Sequence, residues 1–251
     1  MHARCGRLFF VIFLAFPFFH MAEPDDFSAT IPIYVVYSKS HTTLFRNWFK
    51  PTLQDENYKI IEIRMEQFCP SGSFMRKGWL KAMQWKVREI ADISRKSEGE
   101  VFIVSDVDIQ FFDKTWDVIN QMMRENDFLA QRDSYKGQVC AGFVVCRGGE
   151  QTAALWDAVA RHMVKTGVHD QRALNHVLMR TELGKSLRWS FLPNTFMGAG
   201  TNRKEGMHLW LPGQDIAITP GILMHHANCT TGIENKVRQL QYVRAAVKTI
   251  S

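Results

Sequence analysis

The run Val101-Phe102-Ile103-Val104-Ser105-Asp106-Val107-Asp108 constrains this chain more than any other stretch. Four consecutive apolar residues, without alternation, require cover on both faces, as in a strand of a parallel sheet flanked by helices. In open α/β sheets, ligands bind outside the carboxyl ends of such strands. Two carboxylates placed there, one residue apart, point to the same side of an extended backbone. Left alone they repel each other. A divalent cation removes that conflict, and hard oxygen ligands suit Mg²⁺ or Mn²⁺.

The surrounding pattern fits an α/β chain. Strands are predicted over 31–37, 58–64, 101–104, 128–130, 139–146, 187–192 and 216–226. Helices are predicted over 42–50, 79–94, 114–125, 151–165, 170–180 and 233–247. Trp79, Met83, Val87 and Ile90 form the apolar stripe of the second helix. Asp170 reads as the N-cap of the fifth. Strands and helices alternate in the first half, which argues for a largely parallel sheet. The 251 residues suffice for one large α/β domain over 31–251. Loops 66–78 and 194–214 carry no readable code.

The N-terminal segment looks like a targeting signal. Arg4 and Arg7 precede an almost wholly apolar stretch from Leu8 to Phe19, and Ala22 offers a small residue for cleavage. Residues 1–22 read as a signal peptide or signal anchor and 23–30 as a linker, so membrane association through this segment is an expectation. The host compartment would be the Golgi lumen or membrane in a eukaryote, and the periplasm or envelope in a bacterium. The chain carries a formal charge of +6, or +4 without Arg4 and Arg7. That mild surplus suits an anionic small ligand, and no Lys/Arg run points to nucleic acid. The five cysteines (Cys5, Cys69, Cys140, Cys146, Cys229) include no CxxC pair, which argues against a zinc ribbon. Cys140 and Cys146 are expected on one face of a strand, too far apart to bridge.

Ser105-Asp106-Val107-Asp108 after an apolar strand resembles the DxD motif of GT-A glycosyltransferases. Cys140-Ala141-Gly142-Phe143-Val144-Val145 resembles the "naGff" strand of the nucleotide-diphospho-sugar transferase family. His169-Asp170-Gln171 resembles its "DQ" motif, and His225-His226-Ala227-Asn228 with Gly232 and Lys236 resembles its closing "HxN…G…K" segment. The resemblance covers roughly 31–245, in the expected order. It implies a GT-A α/β fold with a mixed, mostly parallel sheet flanked by helices, similar to the retaining enzymes of glycosyltransferase family 77. The implied activity is metal-dependent transfer of a hexosyl or pentosyl group from a nucleotide sugar to a glycan or protein acceptor, with retention.

By the same resemblance, Asp108 would ligate Mn²⁺ or Mg²⁺ directly, Asp106 would bind the metal or the ribose, and His226 would be a third ligand, which leans the choice to Mn²⁺. His225, one residue away on an extended strand, would face the sheet. Lys236 is assigned to the donor diphosphate, and Lys86 is a further candidate for the phosphates. Asp170 and Gln171 would lie beside the transferred sugar, with Asp133 a candidate for its hydroxyls. Tyr37 and Ser38, ending the first strand, would meet base and ribose, with Ser105 beside the metal pair. Gly142 reads as a point of close backbone approach, because glycine otherwise weakens a strand. Asn228-Cys229-Thr230 is formally a glycosylation sequon, expected to be unoccupied because it falls inside the metal segment. Two other readings stay open. One is a non-catalytic nucleotide-sugar or glycan-binding domain. The other is a two-aspartate phosphohydrolase, disfavoured by Gln110 where Thr or Val belongs and by the pair's place on the third strand.

Overall fold

The computed structural model describes residues 30–133, 137–198 and 209–250. The expected targeting segment, 1–22, and all of the linker but Thr30 lie outside these residues. Among the described residues, no helix is long and apolar enough to cross a membrane.

Six strands form the main sheet: β1 (Ile31–Tyr37), β2 (Tyr58–Arg64), β3 (Val101–Ser105), β5 (Phe128–Arg132), β6 (Val139–Arg147) and β7 (Trp189–Phe191). Their order is β2-β1-β3-β6-β5-β7. β1 runs parallel to β2 and β3, and β5 parallel to β7, while β6 is antiparallel to both its neighbours. The sheet is therefore mixed and mostly parallel. A second sheet, β4-β9-β8, joins three short strands: β4 (Ile109–Phe111), β8 (Phe196–Gly198) and β9 (Met224–His226).

β3 shows why its run is unbroken. Val101 and Ile103 enter the core shared with Trp48, Trp116 and Leu240. Phe102 and Val104 enter the opposite core, with Val87, Trp156 and Leu174. The first layer is supplied by a helical segment of short turns, α1 (Thr42–Leu44), a π-turn over Phe45–Phe49 and α2 (Lys50–Thr52), with α4 (Trp116–Met123) and α8 (Ile233–Ile250). The second comes from α3 (Trp79–Lys96), α5 (Glu150–Thr166), α6 (Asp170–Arg180) and the short α7 (Glu182–Ser186). A fully buried Phe102 contributes about 1.5–3 kcal/mol relative to exposure.

Several boundaries differ from expectation. The strand predicted over 216–226 contracts to Met224–His226, because Pro220 lacks an N–H for a ladder and Gly221 turns with φ 65°. β4, β8 and α7 are too short to show a period in sequence. His169, not Asp170, is the N-cap of α6, and Asp170 is its first residue. Cys140 and Cys146 do not share a face. The β5–β6 register shifts at Ala130/Gln131, where the partners jump from Val144 to Cys140. The resulting bulge leaves Cys146 in the second core and turns Cys140 toward His226. Cys69, Cys140 and Cys146 are free thiols.

Candidate active site

The chain leaves β3 at Ser105 and bends through Asp106-Val107-Asp108 before forming β4. β4 pairs antiparallel with β9, Ile109 opposite His226, and the Ala227 amide donates to the Asp108 carbonyl at 2.8 Å. This short ladder carries the C-terminal histidines, more than a hundred residues away in sequence, to the two aspartates. One ligand atom from each of Asp106, Asp108 and His226 lies within 4.8 Å of the others. His226 Nε2 is 3.3 Å from Asp108 Oδ1 and 3.9 Å from Asp106 Oδ2. Two carboxylates and an imidazole converging on one point fit a divalent cation with mixed oxygen and nitrogen ligands.

Each group has a partner outside the triad. His226 Nδ1 lies 2.9 Å from Gln131 Oε1, and the Gln131 amide nitrogen donates to the Phe196 carbonyl at 3.1 Å. The second bond orients the amide, so its oxygen faces Nδ1 and favours the tautomer that leaves Nε2 free for a metal. Lys86 Nζ, buried, donates to Asp106 Oδ1 at 2.5 Å and to the Ala141 carbonyl at 3.2 Å. Lys236 Nζ pairs with Asp108 Oδ2. Burial alone would raise the Asp108 carboxyl, but Lys236 and then His226 hold it well below the usual range. Burial would push the His226 imidazole down, yet Asp108 beside it raises it to about 10. His225 points away, buried, with Nδ1 3.3 Å from the Gln110 amide nitrogen. Burial, reinforced by the charge of His226, pulls His225 down to about 3.

The triad opens into a cleft lined by Tyr37, Ser38, Lys86, Asp133, Gly142, Asp170, Gln171 and Lys236, along with the metal-site residues. Ser105 does not line it; the side chain is buried and its hydroxyl donates to the Asp106 carbonyl at 2.9 Å. Tyr37 contributes little more than an edge, since its ring stacks on Phe45 at 5.0 Å and its hydroxyl donates to Glu62 at 2.5 Å. Gln171 Nε2 donates to Asp133 Oδ2 at 2.7 Å, and its Oε1 accepts from the Ala141 amide at 3.4 Å. Asp170 is buried; burial would raise it, but His169 and Lys86 keep it below its ordinary value. The Gly142 carbonyl accepts from the Asp106 amide at 2.7 Å. A Cβ at Gly142 would overlap His226 Cε1 and lie 2.9 Å from Asp106 Oδ2. The close approach expected there is to these two side chains. Thr230 of the sequon is buried, with its hydroxyl donated to the Trp210 carbonyl at 3.0 Å.

Sequence reasoning passed over His41, Gln131, Cys140 and the aromatic residues of the 66–78 loop. Gln131 had a weak signal: an amide directly after the apolar Phe128-Leu129-Ala130. His41 also lines the cleft; burial, then Lys236, lowers its pKa.

The fold and site define a glycosyltransferase-like α/β class with an Asp-Asp-His cluster, able to hold a metal ion, at the carboxyl end of β3. A profile described as nucleotide-diphospho-sugar transferase matches residues 58–240, and the chain belongs to that family. Among solved structures, the glycosyltransferase GlyE of Streptococcus pneumoniae TIGR4 is similar at TM-score 0.52 and 12% identity, over 86% of this chain and 60% of that one. A glycosyltransferase involved in glycosylation of the major capsid of PBCV-1 gives TM-score 0.52 at 9% identity, over 84% of this chain and 98% of that one. At such identities the likeness is one of fold, and the chain spans little more than half of GlyE. No curated protein matches this sequence.

Proposed function

We propose that this protein transfers a sugar from a nucleotide-diphosphate donor to an acceptor hydroxyl, with a divalent cation bound by Asp106, Asp108 and His226. The convergence of those three side chains through the β4–β9 ladder carries the proposal. The imidazole nitrogen favours Mn²⁺ over Mg²⁺. When bound, the cation would act as a Lewis acid toward the charge that develops on the departing diphosphate.

The chain's own groups do the rest. Lys236 holds Asp108 ionised, Lys86 orients Asp106 through an ion pair, and Lys236 lies where it can also meet a donor phosphate oxygen. Ser38, at the end of β1, offers its hydroxyl to the nucleoside. Gln171, braced by Asp133 and the Ala141 amide, and Asp170 present fixed hydrogen-bonding groups to the sugar. In the reaction the bond from the anomeric carbon to the phosphate oxygen breaks, and a bond to the acceptor oxygen forms. The acceptor proton passes to the departing phosphate oxygen on the same face, which gives retention. Asp170, kept ionised by His169 and Lys86, stabilises positive charge at the anomeric carbon. The N-terminal segment adds an exported or secretory location to this proposal.

The test is a panel of nucleotide sugars, with Mn²⁺ and without acceptor. Slow release of nucleoside diphosphate that needs Mn²⁺ is expected. Asp108→Asn should lower the rate by at least about 100-fold, more than 2.7 kcal/mol of transition-state stabilisation, with an unchanged circular dichroism spectrum. Release of inorganic phosphate would instead indicate a phosphohydrolase, and binding without turnover a recognition module.

A further inference from the structure

Phe74, Trp79 and His169 meet at one wall of the cleft. Their rings are mutually edge-on or tilted: Phe74 to Trp79 at 4.7 Å and 74°, Phe74 to His169 at 6.2 Å and 80°, Trp79 to His169 at 5.6 Å and 53°. All three are half-buried and line the cleft, with Phe68 beside them. They come from three places, the 66–78 loop, the first residue of α3 and the N-cap of α6. Core packing does not require such a cluster at the surface of a cleft.

The backbone is bent to hold it. Gly78, the N-cap of α3, has φ 86°, and a Cβ there would overlap the Phe68 carbonyl oxygen. Met75 has φ 60°, a conformation an unbranched side chain rarely takes, and is 68% exposed next to Phe74. A non-glycine residue in that region, beside the cleft-lining Phe74, points to a functional constraint.

Helix α3 fixes where the wall stands. Trp79, Ala82, Met83 and Lys86 all line the cleft, as i, i+3, i+4 and i+7 on one helix face. Lys86 touches Asp106. Trp79 is therefore about 10 Å of helix rise from the metal-site lysine. The hydrogen-bonding groups Asp170, Gln171 and Asp133 line the same cleft, with Asp170 Oδ1 3.6 Å from His169 Nδ1, and are already assigned to the donor sugar under the proposed function, on which this inference rests. The next ring along the cleft stands against the aromatic wall. A pyranose suits it, because its C–H face packs on aromatic faces while its hydroxyl edge reaches carboxylate and amide groups.

We infer that Phe74, Trp79 and His169 form the acceptor subsite, and that the acceptor presents a pyranose ring there. The experiment uses the full chain, Mn²⁺ and a saturating donor found in the hydrolysis panel, with methyl glycosides of common hexoses and pentoses as acceptors. Trp79→Ala should raise the KM for the best methyl glycoside about 10-fold, and Trp79→Phe, which keeps a ring, should stay within about threefold of wild type. Donor hydrolysis and the Kd of the nucleoside diphosphate should stay unchanged in both. If Trp79→Ala lowers the melting midpoint, Phe74→Ala supplies the same comparison.

Three results would overturn the inference. An unchanged glycoside KM in the alanine variants removes the wall from acceptor binding. A nucleoside diphosphate Kd that weakens as much as the glycoside KM assigns the rings to the base. Intact donor hydrolysis with no methyl glycoside bound or glycosylated leaves no pyranose to recognise. Absence of donor hydrolysis in the wild-type protein is a separate outcome that refutes the transferase reading itself.

Discussion

Gly142 is the residue on which the Asp106-Asp108-His226 cluster is built. Its missing side chain leaves room for the His226 ring and the Asp106 carboxylate, and its carbonyl holds the Asp106 amide. The ring cannot swing aside, because Gln131 grips Nδ1 and the site is buried. Gly142→Ala should therefore weaken Mn²⁺ binding about 10- to 100-fold, as loss of supporting contacts around metal ligands does. Electron paramagnetic resonance of bound Mn²⁺ reads this directly, and an unchanged affinity would show that His226 is not a ligand. Gln131→Leu removes the amide oxygen but keeps the apolar volume. Mn²⁺ affinity should fall by about 10-fold, with little change in the urea midpoint. A loss of stability with Mn²⁺ affinity intact would make Gln131 a packing residue only. Neither effect was legible beforehand. Gly142 stood out as a glycine in a strand, but nothing in the sequence said which side chains would press on it.

At the scale of elements, β9 sets two adjacent histidines to opposite uses. His226 faces the aspartates and keeps its proton up to about 10, against an ordinary 6.5. Its contribution to stability is complete below 6.5 and is lost as pH rises toward 10. His225 is buried beside Gln110 and stays neutral down to about 3. The unfolded chain protonates it below 6.5, so stability rises with pH from about 3 to 6.5. With a chelator present, resistance to urea should peak near 6.5. His226→Gln should flatten the alkaline limb and His225→Gln the acid one. A monotonic profile in the wild-type protein would contradict this pairing. The alternation of the two side chains was readable from an extended His-His dipeptide. The partner strand β4 was not, because three residues give no period, so the meeting of residue 226 with residue 108 rested on the motif resemblance and not on any readable strand pairing.

At the scale of the whole molecule, the three-layer arrangement gathers the candidate site residues other than Ser105 around one cleft. Binding of Mn²⁺ with a nucleoside diphosphate should raise the melting midpoint together, and either alone should do less. At about 100 times its Kd such a ligand adds ~2.7 kcal/mol. Asp108→Asn should abolish the Mn²⁺-dependent part of the shift, and a full shift in that variant would detach the nucleotide from the metal site. The sequence alone determined the doubly covered third strand, the aspartate pair at its end and the family-like order of motifs, because these depend on local period and residue chemistry. Tertiary structure decided the rest: the meeting of His226 with Asp108 across a three-residue ladder, the bulge that turns Cys140 and Gln131 toward that histidine, and the aromatic wall at the cleft. Each depends on contacts between distant segments, whose register is set by packing and leaves no mark on the spacing of residues along the chain.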